Sequence, residues 1–476
     1  MSPTPVIEPA TLPLDHVDDP RLALWLRVRE FAVPPAMIDT ATARRTVGDW
    51  AGACAAAHVD VDLDLRALAR THGRELAARV RADLRHLAPD LLRWHLPRVA
   101  PDGLLRPGLT MVLARYGTAG YRPDGMDESD CAGAGSVHLV VRTPPTWATA
   151  GQRISLALWD ADRPEGGPNL HPHPRPNRRY RLDLHPHLWD ARHAHQLRIR
   201  CGTGQFVASE LPMRVPSSCA VDRWAAEAAI LLRTDQCGSG LVAVRCGARK
   251  RIILEIGEHD LAQSGPPALR VAQQAVRGGI SALPVLPDAA TWVLPDLELI
   301  RRGAITPDRL HPLVASALGE ACEPTETPGT RPGERLVECR GQQHRIGVVD
   351  GVLTALDHDP TEIRREELLV ALTGTPMPCL QAIDRTHRRP DWLDVVREHL
   401  DHGDIAGALT VVEGVLGADA VLRDGPLRTE LEAAVRQRIT YGLFRAGLPA
   451  PGRADNPVRR LSRAQRRTHP RHAASR

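Results

Sequence analysis

The sequence predicts an α+β protein with a helical N-terminal region, a β-rich middle, and a C-terminal region that combines a small β-meander with helices. In the first hundred residues, apolar side chains recur at helical spacing. From about residue 103 they occur instead in short runs separated by turn residues, which is typical of strands. We therefore expect an antiparallel sheet or sandwich in the middle and helices at both ends.

Composition predicts the division of the 476 residues into segments. Hydrophobic residues make up 43% and charged residues 25%, a balance that favours a folded chain with a core. Shifts in proline, glycine and charge place the boundaries. The segments are an acidic, proline-rich leader (1–20), a helical domain (21–102), a β-rich domain with some helices (103–320), a linker (321–335), a β-meander plus helical domain (336–450), and a basic disordered tail (451–476).

Helical patterns dominate the domain at 21–102. The strongest is Leu63–Leu87, where leucine and valine occupy one side and arginine the other, so we expect one long amphipathic helix. A second helix follows at 88–99, with Pro89 at its start.

Strand patterns dominate the middle, interrupted by a helical pattern at Asp222–Leu232. The predicted strands are Leu109–Leu113, Val137–Arg142, Ile154–Trp159, Tyr180–Leu184, Gln196–Arg200, Leu241–Cys246 and Arg251–Ile256. After the linker, a meander is predicted at 336–340, 345–349 and 352–356, and Asp350-Gly351 is the signal for a two-residue hairpin turn.

A hexapeptide pattern occurs twice, as GDWAGA at 48–53 and as GDIAGA at 403–408. Glycine can end a helix in the left-handed conformation, and the next aspartate can cap the following helix, so both copies predict a helical hairpin. The copy at 394–416 resembles a single tetratricopeptide-type hairpin in its small residues at the close helix contact, without the adjacent repeats of a solenoid. A chance match is the alternative, because Gly-Asp is common at helix junctions.

Such hairpins cannot cover their own apolar side, so they must pack against something else. The leading hypothesis is a cytoplasmic scaffold or adaptor without catalytic activity, which would use its helical hairpins for protein–protein interaction with an unidentified partner and the β-rich middle as a platform. The candidate partner-binding residues are Trp50, Trp392, Val396, Leu400, Leu409 and Val412.

Closely spaced histidines suggest a second hypothesis, a metal-dependent enzyme. On a strand, residues two apart share a face, so the pairs His185/His187 and His193/His195 could present imidazoles to zinc or another transition metal. His171 and His173 belong to the same group but alternate with proline in a loop. Surface histidines without a metal are the alternative interpretation.

An arginine-rich tail suggests a third hypothesis, non-specific contact with nucleic acid phosphates. Residues 453–476 hold eight arginines and one aspartate, a net charge of +7, which leaves 53 basic and 56 acidic residues in the rest of the chain. The candidate contacts are Arg459, Arg460, Arg463, Arg466 and Arg467. A solvated tail that binds nothing specific is the alternative.

Several functional classes lack their signatures in this sequence. Lys250 is the single lysine, so there is no Gly-Lys pair of a phosphate-binding loop, and the arginine and alanine bias is typical of a GC-rich bacterial genome. Nine widely spaced cysteines without a C-x-x-C motif predict reduced thiols in the cytoplasm. With no secretory signal and no apolar run of membrane-spanning length, we expect no membrane partner, and no cofactor apart from the metal alternative.

Overall fold

A computed structural model describes most of the chain. The described residues are 19–117, 136–160, 171–201, 215–235, 237, 240–247, 250–257, 269–272, 283–318, 335–339, 342–349, 352–355, 358–359, 361, 364–365, 378, 380, 391–416, 422 and 424–448. They fall into two compact units. The cavity unit lies within Asp19–Pro324 and Gln437–Arg476, and the hairpin unit lies within Thr325–Arg436.

The predicted α+β class is confirmed, with helices at both ends and a mixed sheet in the middle. Residues 21–102 and 103–320 belong to the same unit, and the boundary at Pro324 lies inside the predicted linker. The N-terminal helices and first strand are α1 (Pro20–Arg27), α2 (Pro35–Thr46), α3 (Trp50–Ala56), β1 (Val59–Asp62), α4 (Leu65–His72), α5 (Arg74–His86) and α6 (Pro89–Trp94).

The prediction of one long helix at Leu63–Leu87 is wrong, because this segment forms two helices. Gly73 separates α4 from α5 with φ +93°, a conformation that a helix interior does not allow. The apolar spacing continues across this break, which is why the sequence predicted a single helix. The short strand β1 was also missed, since its four residues lie between two strongly helical segments.

The middle contains one sheet and two hairpins. Its strands are β2 (Arg98–Val99), β3 (Leu104–Leu105), β4 (Thr110–Gly117), β5 (Ser136–Arg142), β6 (Ile154–Asp160), β7 (Gly240–Arg245) and β8 (Arg251–Ile256). The four-stranded sheet has the order β1-β6-β5-β4; β1 is parallel to β6 and the other pairs are antiparallel. The sheet is therefore mixed, where a purely antiparallel sheet or sandwich was expected.

Two predicted strands of the middle are wrong. The predicted strand Tyr180–Leu184 contains a 3-10 turn at Leu182–Leu184. The predicted strand Gln196–Arg200 instead forms the end of a 3-10 turn and α7 (Leu197–Arg200). The Arg181 guanidinium bonds Asp183 two residues away, which favours a local turn over an extended ladder. At 196–200 the apolar alternation was misleading, because Ile199 is 82% exposed.

The remaining helices of the cavity unit are α8 (Val221–Thr234), α9 (Asp288–Thr291), α10 (Pro295–Arg301) and α11 (Pro312–Leu318). The predicted helix at Asp222–Leu232 is thus confirmed as α8. It packs its buried face, centred on Trp224, against Val242 and Leu254 of the β7–β8 hairpin. The described cysteines of this unit, which include Cys219 and Cys246, are free thiols.

The hairpin unit contains the predicted meander, β9 (Arg335–Cys339), β10 (Gln342–Val349) and β11 (Val352–Ala355), in antiparallel order. Val349 pairs with Val352, so these strands flank Asp350-Gly351, which lies outside the described residues. The helices described there include α12 (Asp391–His402), α13 (Ile405–Leu416) and α14 (Pro426–Arg445). The last turns of α14 belong to the cavity unit, where the Tyr441 hydroxyl donates to Asp60 at 2.5 Å.

Both copies of the Gly-Asp hexapeptide form helical hairpins, as predicted. Gly48 and Gly403 have φ +82° and +81°, and the carboxylates of Asp49 and Asp404 accept from the backbone N–H three residues later at 2.8 and 2.9 Å. That third residue is glycine in both copies. A Cβ on Gly407 would lie closer than 3.0 Å to the capping carboxylate and to the His399 ring. The second glycine therefore makes room for the cap and for the close approach of α12.

We predict opposite effects for two glycine substitutions in α13. Alanine normally stabilises a helix by about 1 kcal/mol over glycine. Gly414→Ala should follow this rule, because no other atom lies within 4 Å of the position that its Cβ would take. Gly407→Ala should instead destabilise the hairpin by about 1 kcal/mol, since it displaces the Asp404 cap. Hydrogen exchange of peptides covering 405–416 measures both, and equal protection in the two variants would contradict the capping role.

Candidate anion-binding cavity

Several arginine side chains surround a cavity of about 390 Å³ in the cavity unit. We call it the arginine cavity. Its walls come from α1, the segment from His95 to Arg106 that includes the β2–β3 hairpin, Met111 of β4, the turn at 179–188, and the α9–α10 connection. Its volume lies in the range typical of small-molecule sites.

Local sequence positions each wall. Asp19 caps α1 by accepting from the Arg21 backbone N–H at 3.0 Å, and Pro20 occupies the first turn. Trp292 is extended and bridges Cys219, and Pro295 then begins α10. The connection between α9 and α10 therefore begins in an extended conformation, and its residues line the cavity.

Among the described residues, five arginines and one acidic residue line the cavity. The acidic residue, Asp288, accepts from the Nε–H of Arg179. Burial raises the pKa of Asp288, and the Arg179 guanidinium acts in the opposite direction. Arg21 pairs with Glu298 at 2.5 Å.

Arg181 is also neutralised, because it bonds Asp183 at 2.8 Å and Asp235 at 3.2 Å. Burial acts to lower the pKa of Arg181, but the hydrogen bonds to these two carboxylates and their negative charges raise it above its usual value. Three of the five cavity arginines, including Arg21 and Arg179, therefore have a carboxylate partner.

Arg98 and Arg106 flank the β2–β3 hairpin and differ from the others. Arg98 donates to two backbone carbonyls, of Gly103 at 3.2 Å and of Arg93 at 2.6 Å, and its Nε has no hydrogen-bond partner. The Arg106 side chain is buried, and its Nε likewise has no partner. Burial, together with the nearby charge of Arg93, holds the pKa of Arg98 well below its usual value.

Two ring nitrogens at the cavity also have no hydrogen-bond partner, Nε2 of His95 and Nε1 of Trp25. His95 Nε2 lies 3.9 Å from the nearer Asp296 carboxylate oxygen, which is beyond hydrogen-bonding distance. Burial lowers the pKa of His95 to about 4, so this imidazole is neutral at pH 7. Trp25 packs against Trp94 with ring centroids 5.7 Å apart.

Aromatic faces and aliphatic side chains complete the lining. Arg21 lies over the ring of Trp292 at 5.5 Å, and Arg179 lies over that of Tyr180 at 5.4 Å. Among the described lining residues there is no serine, threonine or cysteine that could act as a nucleophile. The arrangement is suited to holding an anion beside an apolar group.

The histidines predicted as metal ligands have different surroundings in the structure. His185 and His187 are buried with ring centroids 5.6 Å apart, and His185 Nδ1 is 3.2 Å from Arg200. His193 lies 3.2 Å from an Asp190 oxygen, and His195 is exposed. Within the described part of the chain, no three histidine, cysteine or acidic side chains converge to hold a metal ion.

The predicted partner-binding residues have different surroundings. Val396 and Leu400 are buried with Ala408 in the three-helix core, and Trp392 and Val412 pack against it. Leu409 is 44% exposed. Trp50, at the start of α3, is half-buried. The tail arginines 459–467 lie outside the described residues.

The sequence did not reveal the arginine cavity. Its lining comes from segments as distant as Arg21 and Pro295, and each contributes only a few residues. The one local signal is the pair Arg98 and Arg106 around a short hairpin, which the abundance of arginine in this chain concealed.

Comparison with known proteins finds no matching family model, no matching curated protein and no matching solved structure. Of the described helices, none combines the length and the apolar character needed to cross a membrane.

The buried histidines predict loss of stability in mild acid. Burial lowers the pKa of His95 and His138 to about 4, and those of His185 and His187 well below 6.5. In the unfolded chain these groups take up protons near pH 6.5. The free energy of unfolding therefore has its full value above that pH. It declines as the pH falls towards 4, by about 1.4 kcal/mol per pH unit for each extra proton bound on unfolding.

A matched pair of variants tests this prediction. Neither ring nitrogen of His187 has a hydrogen-bond partner, so His187→Leu removes a titrating group without breaking a hydrogen bond. Urea unfolding between pH 7.5 and 4.5 should show a pH slope smaller by about one proton. The same change at exposed His195 is the control variant. An unaltered slope in His187→Leu would show that this ring is not held neutral.

Proposed function

We propose that this protein reversibly binds a small organic anion in the arginine cavity. The observation that carries the proposal is a pair of lining arginines, Arg98 and Arg106, that have no carboxylate partner, whereas the other described lining arginines have one. A guanidinium removed from water without a counter-ion is costly, so this pair indicates a place for an anion.

The charge around the cavity supports an anion over a neutral ligand. Two guanidiniums have no carboxylate partner, and the single lining carboxylate, Asp288, is already bound by Arg179. Charge-assisted hydrogen bonds from guanidinium to carboxylate or phosphate are about twice as strong as neutral ones.

Binding without chemical conversion fits the lining better than catalysis does. The described lining offers no hydroxyl or thiol nucleophile apart from the Tyr180 phenol, whose pKa burial raises above its usual value. His95 could accept a proton, but it has no aligned carboxylate partner, since Asp296 lies 3.9 Å away.

Thermal unfolding of the full chain in the presence of small organic anions tests the proposal. A ligand at 100 times its dissociation constant stabilises the folded state by about 2.7 kcal/mol, which should raise the midpoint by a few degrees. Neutral amides of the same molecules should have no such effect, because they cannot compensate the guanidinium charge.

Two arginine variants provide the control. Arg106→Gln should weaken binding about ten-fold, the effect expected for a lost hydrogen bond between charged groups. Arg66→Gln makes the same change at an exposed position of α4 and should bind like the wild type. If no anion raises the unfolding midpoint, or if both variants bind equally, the proposal is wrong.

A second candidate function is the docking of a protein partner on the hairpin unit. Three apolar side chains of α13 are exposed, Ile405 at 41%, Leu409 at 44% and Val415 at 44%, and Val435 of α14 is 59% exposed. Contiguous exposed apolar side chains mark interaction sites, and Ile405 and Leu409 are neighbours one turn apart on α13, which supports an interaction role.

Charge insertion at this surface tests the docking role. Leu409→Glu should abolish recovery of a co-purifying protein while leaving the three-helix core folded, because Leu409 lies outside that core. Thr410→Glu, at a neighbouring exposed position, is the control. Equal recovery with wild type and Leu409→Glu would argue against docking here.

A further inference from the structure

We infer that the ligand of the arginine cavity is a dianion, with two negative charges on an apolar body. This inference rests on the proposed function and makes it more specific. The observation behind it is that five guanidiniums line the cavity, three are neutralised by carboxylates, and two are not.

The charge count follows from the individual contacts. Arg21 is paired with Glu298 and Arg179 with Asp288. Arg181 shares Asp183 and Asp235 with a second arginine, Arg115, so two guanidiniums balance these two carboxylates. Arg98 has only carbonyl acceptors, and Arg106 has a buried Nε without an acceptor. The cavity therefore carries an excess of two positive charges while His95 is neutral.

Burial makes this excess costly. Arg106 is only 9% exposed, and removing an unpaired cation from water is strongly unfavourable unless an anion compensates it. The guanidinium of Arg93, which donates to the carbonyls of Ala32 and Gln152, adds further positive potential and contributes to the lowered pKa of Arg98. A single negative charge would leave part of this excess uncompensated.

The rest of the lining defines the body of the ligand. Leu24, Met111 and Leu188 line the cavity together with the rings of Trp25, Tyr180 and Trp292. A volume of about 390 Å³ corresponds to roughly a dozen water-sized groups. An aromatic or similarly compact apolar group that bears a phosphate monoester or two carboxylates matches both the size and the charge.

Isothermal titration calorimetry of the full chain at pH 7.5 with two matched pairs of probes tests the inference. The first pair is phenyl phosphate, a dianion, and its monomethyl ester, a monoanion. The second is terephthalate and its monomethyl ester. We expect the dianion to bind at least about ten-fold more tightly than its ester in one pair, and the pair that shows this identifies phosphate or dicarboxylate as the source of the charge.

Variants of Arg106 connect that preference to the cavity. Arg106→Gln removes one uncompensated charge, so the ratio of the two dissociation constants should fall towards one. Arg106→Lys retains the charge and should restore part of the ratio, and Arg66→Gln should leave it unchanged. Unfolding midpoints of all variants without ligand establish that they are folded.

The possible outcomes separate this inference from the proposed function. If dianion and monoanion bind equally well and Arg106→Gln weakens both, the cavity binds anions but the dianion inference is wrong. If none of the four probes binds at millimolar concentration, both are contradicted. If the dianion is preferred equally by the wild type and Arg106→Gln, the preference arises elsewhere and the inference is overturned.

Discussion

Two buried hydrogen bonds join parts of the cavity unit that lie more than 200 residues apart in the sequence. The indole N–H of Trp94 donates to Asp296 at 2.8 Å, and the His311 ring is bonded to Asp90 at the same distance. These side chains are almost completely buried, so their polar groups must find partners within the protein. The bonds attach α6 to α10 and to the start of α11, and thereby bring the N-terminal helices against a segment from the end of the unit.

This attachment creates the arginine cavity. His95 follows Trp94 directly, and Pro295 precedes Asp296, so residues next to the buried bond line the cavity. The Arg21–Glu298 pair at 2.5 Å reinforces the same junction from α1. The proposed binding role therefore depends on these hydrogen bonds and on this ion pair.

The hairpin unit depends on a different constraint, set by three residues at its helical corner. Gly403 ends α12 in the left-handed conformation, Asp404 caps α13, and Gly407 makes room for the cap. The same three features recur at Gly48, Asp49 and Gly52. The repeat in the sequence therefore has a stereochemical basis in both units, and the exposed Leu409 lies just beyond the second corner.

The sequence by itself determined the features that depend on neighbours within a few residues. The helical corners, the meander after residue 335, the β7–β8 hairpin and helix α8 were predictable, because caps, turns and short-range periodicity act locally. Tertiary structure decided the break at Gly73, the parallel pairing of β1 with β6, and the turn that replaced the strand at 182–184. It also decided which arginines are neutralised, because Arg21 and Glu298 meet only when residues 277 positions apart become neighbours. No local pattern encodes that distance, so the charge of the cavity could be read only from the folded chain.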